Sequence, residues 1–211
     1  MPQTFIYIDG FNLYFGALRG TPFKWLDIDA LCRLLLPQHR VAKIRYFTAN
    51  VVARPHDPQQ PVRQQTYLRA LSTFSNIEVH LGHFLSHEVA MPSAPLPPPP
   101  NRPAMVRVIK TEEKGSDVNL ASWLLWDAFN VPDFEAVVVT NDSDLATPIR
   151  MVKNQLHKKV GLLSPRERLS AVLQPPTVTF VKPIRAAHLG LCQLPNQMKD
   201  NHGTITKPVS W

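Results

Sequence analysis

The apolar positions of the chain fall into short runs that are separated by amphipathic segments. The first run, from Phe5 to Ile8, is continuous and ends abruptly at Asp9 and Gly10, a pattern typical of a strand buried on both faces of a parallel sheet. A second continuous run, from Ala136 to Thr140, has the same character. Further strands are predicted at 44–49, 77–81, 105–109, 160–163 and 178–181.

Helices are predicted between these strands from the spacing of apolar residues. One covers 28–36 before Pro37, and one opens at Pro61 with Val62 on its apolar side. Others are predicted from about 117 to 129, with Ser116 as the cap, and from Pro148 to about 155, with Thr147 as the cap. Because strands and helices alternate, the chain is predicted to be an α/β protein with a doubly wound, mainly parallel sheet, whose ligands bind at the carboxyl ends of the strands.

Two later segments depart from this alternation. Residues 91–103 read MPSAPLPPPPNRP, which predicts an extended polyproline segment acting as a linker or a protruding loop. A docking role for this Pro-rich loop, as a ligand for an aromatic groove, is an alternative to a plain spacer. The last thirty residues predict one short helix and then an irregular tail.

Composition narrows the class of protein. A chain of 211 residues with 44% hydrophobic content can bury a core and make one domain, at most with an appendage. Two cysteines outside any CxxC spacing predict neither a disulfide framework nor a thiolate zinc site. Without a signal segment or a long apolar run, the expectation is a cytoplasmic protein with no membrane partner. The net charge of +7 favours polyanionic partners, although it raises that expectation only modestly.

Acidic residues mark one edge of the predicted sheet. Asp9 and Asp142 each follow a buried strand, and the carboxyl ends of parallel strands meet at the same edge; Asp144 comes directly after. Asp117 begins a helix whose positions 120, 121, 124 and 128 are apolar, so its side chain is expected to face inward. We therefore expect the four carboxylates to lie close together.

Each of these aspartates, taken singly, has an ordinary structural explanation in a turn or at a helix N-terminus. Taken together, they repel one another by about 4 kcal/mol per pair at 4 Å and an effective dielectric constant near 20. A hard divalent cation with oxygen ligands offsets that repulsion at neutral pH, and Mg²⁺ keeps water positions open for chemistry. The natural partner of such a site is a phosphate group.

Three segments of the chain carry a resemblance to a known family. They read YIDGFNLY at 7–14, KGSDVNLA at 114–121 and VVVTNDSDL at 137–145. Together they resemble the three acidic motifs of NYN-domain proteins, nucleases of the PIN-like superfamily that include a bacterial LabA-like branch. The resemblance covers about residues 4–164.

The resemblance implies a fold and an activity. The fold is a PIN-like three-layer α/β/α sandwich with a mainly parallel central sheet of strand order resembling 3-2-1-4-5. Residues 1–164 would form the nuclease domain, which contains the Pro-rich loop, and residues 165–211 a C-terminal extension. The activity is an Mg²⁺- or Mn²⁺-dependent ribonuclease. Its metal ligands would match the four aspartates, and Asn12 would match the asparagine that orients a ligand or phosphate.

The resemblance also implies RNA, single-stranded or structured, as the partner, and it leaves a homodimer open. The basic residues nearest to the acids in sequence are candidates for contacts with the RNA phosphate backbone. That they are ordinary solvated side chains at the ends of helices or strands is an equally good interpretation. They are Lys110, Lys114, Arg150 and Lys153.

Other interpretations stand beside the ribonuclease. A non-catalytic RNA- or protein-binding module could retain the fold and the acids. An aspartyl phosphotransferase fits less well, since the first strand ends in DGFN and not in DxD. A zinc site at His80, His83 and His87 lacks further ligands, and Trp123 and Trp126 are expected in the core.

Overall fold

A seven-stranded sheet flanked by helices makes up most of the computed structural model, which describes residues 2–211. Its strands are β1 (Gln3–Asp9), β2 (Arg40–Ala49), β3 (Ile77–Pro92), β4 (Met105–Lys114), β5 (Phe134–Val139), β6 (Lys159–Ser164) and β7 (Phe180–Pro183). The helices are α1 (Gly10–Leu13), α2 (Ile28–Leu35), α3 (Gln60–Leu71), α4 (Ser116–Asn130), α5 (Ala146–Arg150) and α6 (Ala186–Leu191). A separate antiparallel hairpin pairs β8 (Gln197–Asp200) with β9 (Gly203–Thr206).

The strand order of the large sheet is β4-β3-β2-β1-β5-β6-β7. All neighbouring pairs are parallel except β3 and β4. The predicted α/β class with a mainly parallel sheet is therefore confirmed. The five central strands follow the expected order 3-2-1-4-5 when β4 is set aside as the second arm of a hairpin.

Two hydrophobic clusters lie on opposite faces of the sheet, as the alternation of side chains along a strand requires. Ile6 and Ile8 of β1 belong to one cluster, which also contains side chains of α2, α3 and α6. Phe5 and Tyr7 belong to the other, with side chains of α4 and α5. The result is a three-layer arrangement with the sheet in the middle.

The third strand is much longer than its apolar run predicts. It was expected to end at Leu81 but continues to Pro92 and pairs with β4, from His83 opposite Lys114 to Pro92 opposite Met105. The proline tract is consequently the tip of a protruding hairpin, closed by a 2.8 Å hydrogen bond from the Ser93 amide to the Ala104 carbonyl. Sequence reasoning missed this arm because residues 82–91 contain no continuous apolar run. Their hydrogen-bond partners are in β4, which is distant in the sequence.

Several local predictions are wrong. Ser116 does not cap α4 but is its first residue, preceded by Gly115 at φ +100°, and its amide donates to Glu113 Oε1 at 3.1 Å. Val62 is 58% exposed, and Trp126 on α4 is 62% exposed, so neither packs in the core. A 3-10 turn at Ser143–Leu145 leads into α5, which begins at Ala146 and not at Pro148, so Thr147 lies inside the helix and does not cap it.

The C-terminal residues share the core of the sheet. Strand β7 pairs with β6, and Leu194 and Ile205 lie in the same cluster as Ile6. The β8–β9 hairpin replaces much of the irregular tail that was expected. The proposed division at residue 164 stays a prediction. Among the described residues, no helix has the length and apolar character needed to cross a bilayer.

Candidate active site

Asp9, the last residue of β1, sits at the carboxyl edge of the sheet with only 6% of its surface exposed. Its side chain caps α1, since Oδ1 accepts a 2.9 Å hydrogen bond from the Asn12 amide. Its Oδ2 accepts a 3.0 Å hydrogen bond from the Thr140 hydroxyl. Thr140 follows β5 directly. The side chain at the end of β1 is thereby fixed to the end of β5, as the strand-end argument predicts.

Gly10 allows this junction to form. A Cβ at this position would lie 2.7 Å from the Phe47 carbonyl oxygen of β2, closer than non-bonded atoms approach. Helix α1 can therefore begin directly after Asp9, against the end of the neighbouring strand.

The loop after β5 is held by hydrogen bonds to the first motif. Asn12 Oδ1 accepts from the Asn141 amide at 2.9 Å, and the Thr140 hydroxyl accepts from the Asp142 amide at 3.0 Å. Asp142 Oδ1 in turn accepts from the Asp144 amide at 3.0 Å. The second acidic strand end is thus built onto the first, and Asn12 has a defined structural role.

Three of the four predicted acids line a single cavity, namely Asp9, Asp117 and Asp142. Asp144 is exposed and is not among the lining residues. Asp117 is exposed as well, although Leu120 and Leu124 behind it are fully buried. The expectation that Asp117 faces inward is corrected in this respect, because the cavity opens beside the first turn of α4.

Burial and acidic neighbours raise the pKa values of Asp9 and Asp117. Burial raises the pKa of Asp9 to about 6, and repulsion from Asp117 and Asp142 adds to this, against the hydrogen bonds from Asn12 and Thr140. Burial also raises the pKa of Asp117, together with repulsion from Asp142 and its other acidic neighbours. Within residues 2–211, no basic side chain forms an ion pair with any of the four predicted acids.

The acids share a cavity without meeting at a common point. In the part of the chain that the structure describes, no group of three or more His, Cys, Asp or Glu side chains is arranged to hold a metal ion. A shared ion site therefore requires side-chain movement from this arrangement, and it stays a prediction.

The cavity has a volume of about 1140 Å³ and two kinds of wall. Aromatic rings from α1, β2, β3, α3 and the C-terminus line much of it, including Phe11, Phe15, Tyr46, Tyr67, Phe84 and Trp211. Basic residues from separate loops and from α3 complete the lining: Lys24, Arg54, Arg63 and Arg166. No pattern in the sequence marks these cations, because the fold collects them from distant segments.

The four basic residues that sequence reasoning singled out lie elsewhere. Lys110 and Lys114 both pair with Glu112 on the hairpin, and Arg150 donates to the Thr147 hydroxyl at 3.2 Å. Lys153 donates to backbone carbonyls at 176 and 178. None of the four lines the cavity.

A buried polar network holds α4, and with it Asp117, on the sheet. Arg45 of β2 donates to both carboxylate oxygens of Asp127 at 2.7 and 3.0 Å, and the Tyr7 hydroxyl donates to Asp127 at 2.7 Å. The Arg45 guanidinium lies 3.9 Å from the ring centre of Trp123. His80 stacks on Phe47 at 4.9 Å beside this network. Sequence reasoning missed the network, since its members are 38, 82 and 120 residues apart in pairs.

The pKa of Asp9 predicts a pH dependence of stability in the metal-free protein. A carboxyl whose folded pKa lies above its unfolded value contributes stability below the unfolded pKa, and that contribution is lost as pH rises through the folded pKa. In chelator, the free energy of unfolding of Asp9→Asn, taken relative to that of wild type, should rise by on the order of 3 kcal/mol between pH 4 and pH 7. Urea unfolding of both proteins across this range measures the difference. Parallel pH curves would contradict the prediction.

The chain resembles a characterised protein in sequence and a solved structure in fold. A comparison with models of protein families finds no match. The sequence is 33% identical to the 6-hydroxy-3-succinoylpyridine 3-monooxygenase HspA of Pseudomonas putida strain S16, over an alignment that covers 99% of this chain and 75% of that protein. A protein of unknown function from Vibrio parahaemolyticus has a similar solved structure, with a TM-score of 0.57 at 16% identity, covering 88% of this chain and 94% of that one.

The structural likeness shows the fold alone, since the sequences are so different. The likeness to HspA shows a family relationship, because it extends across nearly the whole chain at 33% identity. This chain therefore belongs to the family of the 6-hydroxy-3-succinoylpyridine 3-monooxygenase HspA.

Proposed function

We propose that this chain is a divalent-metal-dependent ribonuclease, with the reaction centred on Asp9, Asp117 and Asp142. The observation that supports it is a cavity at the carboxyl edge of the sheet where these three carboxylates repel one another without a basic partner. Such a cluster favours either protonation or a bound cation. The resemblance of the three acidic motifs to NYN-domain nucleases points to the cation.

The donor set suits a hard cation. Both oxygens of Asp117 and Oδ2 of Asp142 accept no hydrogen bond within residues 2–211, so they are available as ligands. Asp9 already accepts two hydrogen bonds, which orient its carboxylate and leave its remaining lone pairs. Asp144 would join as a ligand only after movement of its exposed side chain. A bound Mg²⁺ or Mn²⁺ lowers the pKa of a coordinated water and neutralises charge on a phosphate.

The protein's own side chains position the substrate. The Asn12 amide oxygen is used by Asn141, which leaves Asn12 Nδ2 to donate to a phosphate oxygen. Lys24, Arg63 and Arg166 line the same cavity and supply charge for a phosphate backbone. Arg63 is itself paired with Asp57, so its contact requires exchange of partners.

The test is RNA cleavage by the purified protein with Mg²⁺, with Mn²⁺ and with chelator, using a mixed pool of RNA. Cleavage with either metal and none with chelator is the expected result. Cleavage that persists in chelator would contradict the metal mechanism. Binding of RNA without cleavage under any condition would favour the non-catalytic binding module.

Hydroxylation of a pyridine is the second candidate, because the relative HspA is named as a 6-hydroxy-3-succinoylpyridine 3-monooxygenase. The aromatic walls of the cavity suit a flat ring, and its cations suit a carboxylate side chain. A monooxygenase inserts one oxygen atom of O₂ and reduces the other to water, so it needs a two-electron donor. The eight glycines of this chain form no G-x-G-x-x-G motif for a bound dinucleotide, so an assay of this activity must supply the electron donor in solution.

Oxygen consumption separates the two candidates. The assay supplies 6-hydroxy-3-succinoylpyridine with reduced nicotinamide, with and without added flavin, and follows O₂ uptake and product formation together. Coupled uptake and product at a rate well above a denatured control would favour the monooxygenase. Uptake no greater than that control, together with metal-dependent RNA cleavage, supports the ribonuclease.

A further inference from the structure

Three phenylalanine rings meet at one wall of the cavity. The rings of Phe11 and Phe15 are nearly parallel, with centres 6.5 Å apart and an angle of 23° between their planes. Phe84 of the β3–β4 hairpin approaches Phe11 edge-on, with centres 5.8 Å apart and an angle of 76°. We call these three residues the aromatic clamp.

The clamp is not part of the hydrophobic core. Phe15 is 50% exposed, and neither Phe11 nor Phe84 belongs to the buried clusters on the two faces of the sheet. The three rings therefore contact one another at the cavity wall and outside both buried clusters.

Backbone geometry presents Phe15 to the cavity. The residue lies in a π-helical turn, Tyr14–Leu18, that directly continues α1, and such turns are frequent at functional sites. Phe11 and Phe15 are four residues apart and so lie on the same side of this segment. Arg19, at the end of the turn, places its guanidinium 5.5 Å from the Phe15 ring centre.

The clamp adjoins the acids. Phe11 lies between Gly10 and Asn12, and the Asn12 amide donates a hydrogen bond to Asp9. All three rings line the same cavity as Asp9, Asp117 and Asp142. A nucleotide whose phosphate lies at the acids can therefore reach the rings with its own or a neighbouring base.

We propose that the aromatic clamp is a stacking subsite for an unpaired base of RNA, with Phe15 as the principal platform. This inference rests on the proposed ribonuclease function and names its substrate as single-stranded. Every base has a flat π-face, so stacking tolerates any sequence, whereas bases paired within a duplex are not free to stack on a protein ring. The basic residues of the cavity would follow the phosphate backbone on either side.

An RNA base fits these surroundings better than an isolated pyridine ring. The cavity, at about 1140 Å³, is larger than one ring with a short side chain needs, and its four cations are spread over separate segments. Several phosphates along a strand match that spread of charge.

The experiment measures binding in chelator, so that no RNA is cut. Fluorescence anisotropy compares a labelled ten-nucleotide oligouridylate with a strand of equal length that carries abasic positions. We expect Phe15→Ala to weaken binding of the intact strand by about tenfold and to leave binding of the abasic strand nearly unchanged. Phe15→Trp should retain the affinity for the intact strand, because it keeps a flat ring.

Phe129→Ala is the matched control. Phe129 is 78% exposed on α4 and does not line the cavity, so its removal should change neither affinity. Equal weakening of both strands by Phe15→Ala, or no weakening of either, would overturn the stacking subsite. Because cleavage plays no part here, the subsite can fail while metal-dependent cleavage stands, and the reverse.

Discussion

Asp142→Asn is expected to lower metal-dependent RNA cleavage by roughly 10²-fold or more. The substitution removes one charge from the group of carboxylates that lines the cavity and preserves the size of the side chain. A weakened metal site no longer activates its water or neutralises the phosphate, an effect worth several kcal/mol of barrier. Single-turnover cleavage of an RNA pool with Mg²⁺ and with Mn²⁺ measures the loss.

The fold should tolerate this change. The asparagine Oδ1 can still accept the hydrogen bond from the Asp144 amide, and repulsion with Asp9 and Asp117 is relieved. We therefore expect the melting temperature in chelator to stay level or rise, and RNA binding to persist.

Asp133→Asn is the matched control for Asp142→Asn. Asp133 is an exposed acid that does not line the cavity, and asparagine suits its positive φ of 49°. The Asp133→Asn variant should cleave RNA at the same rate as wild type. Full activity in Asp142→Asn would refute the proposed role of the cluster.

Continuous apolar runs carried most of the information about the fold. The runs around Ile6 and Val137 become adjacent, fully buried parallel strands, and the alternation with helices gives the three-layer arrangement. Residues 82–92 and 110–114 gave no such signal, and only 105–109 of the second arm was predicted, because each arm of the hairpin is largely exposed and is stabilised by its partner arm. Strands that depend on distant pairing are the ones that a local pattern cannot specify.

The acidic part of the site followed from the same reasoning. Parallel strands bring their carboxyl ends to one edge, so Asp9 and the loop carrying Asp142 had to be neighbours, and the hydrogen bonds through Thr140 show how. The rest of the cavity could not be predicted in this way. Phe84 comes from the unexpected hairpin and Arg166 from a loop after β6, so their convergence depends on the whole tertiary structure.

The buried network around Arg45 leads to the second large expected effect. Asp127→Ala should lower the free energy of unfolding by about 2–4 kcal/mol, because Arg45 and the Tyr7 hydroxyl lose their shared buried acceptor while Arg45 keeps its ion pair with the half-exposed Glu78. In a protein of this size, that corresponds to a fall of roughly 10 °C in melting temperature. Urea unfolding and thermal melts both measure it.

The comparison with a surface ion pair shows whether burial is the cause. Glu88→Ala removes the partner of Arg107 on the hairpin, where both side chains are more than half exposed, and it should cost less than about 1 kcal/mol. A double variant, Arg45→Met with Asp127→Leu, removes the two buried charges together and should be more stable than Asp127→Ala alone, since no guanidinium is left without its buried carboxylate and Glu78 keeps its pair with Lys43. If Asp127→Ala costs no more than Glu88→Ala, the network does not hold α4 on the sheet. In that case the position of Asp117 must depend on the apolar contacts of Leu120 and Leu124 alone.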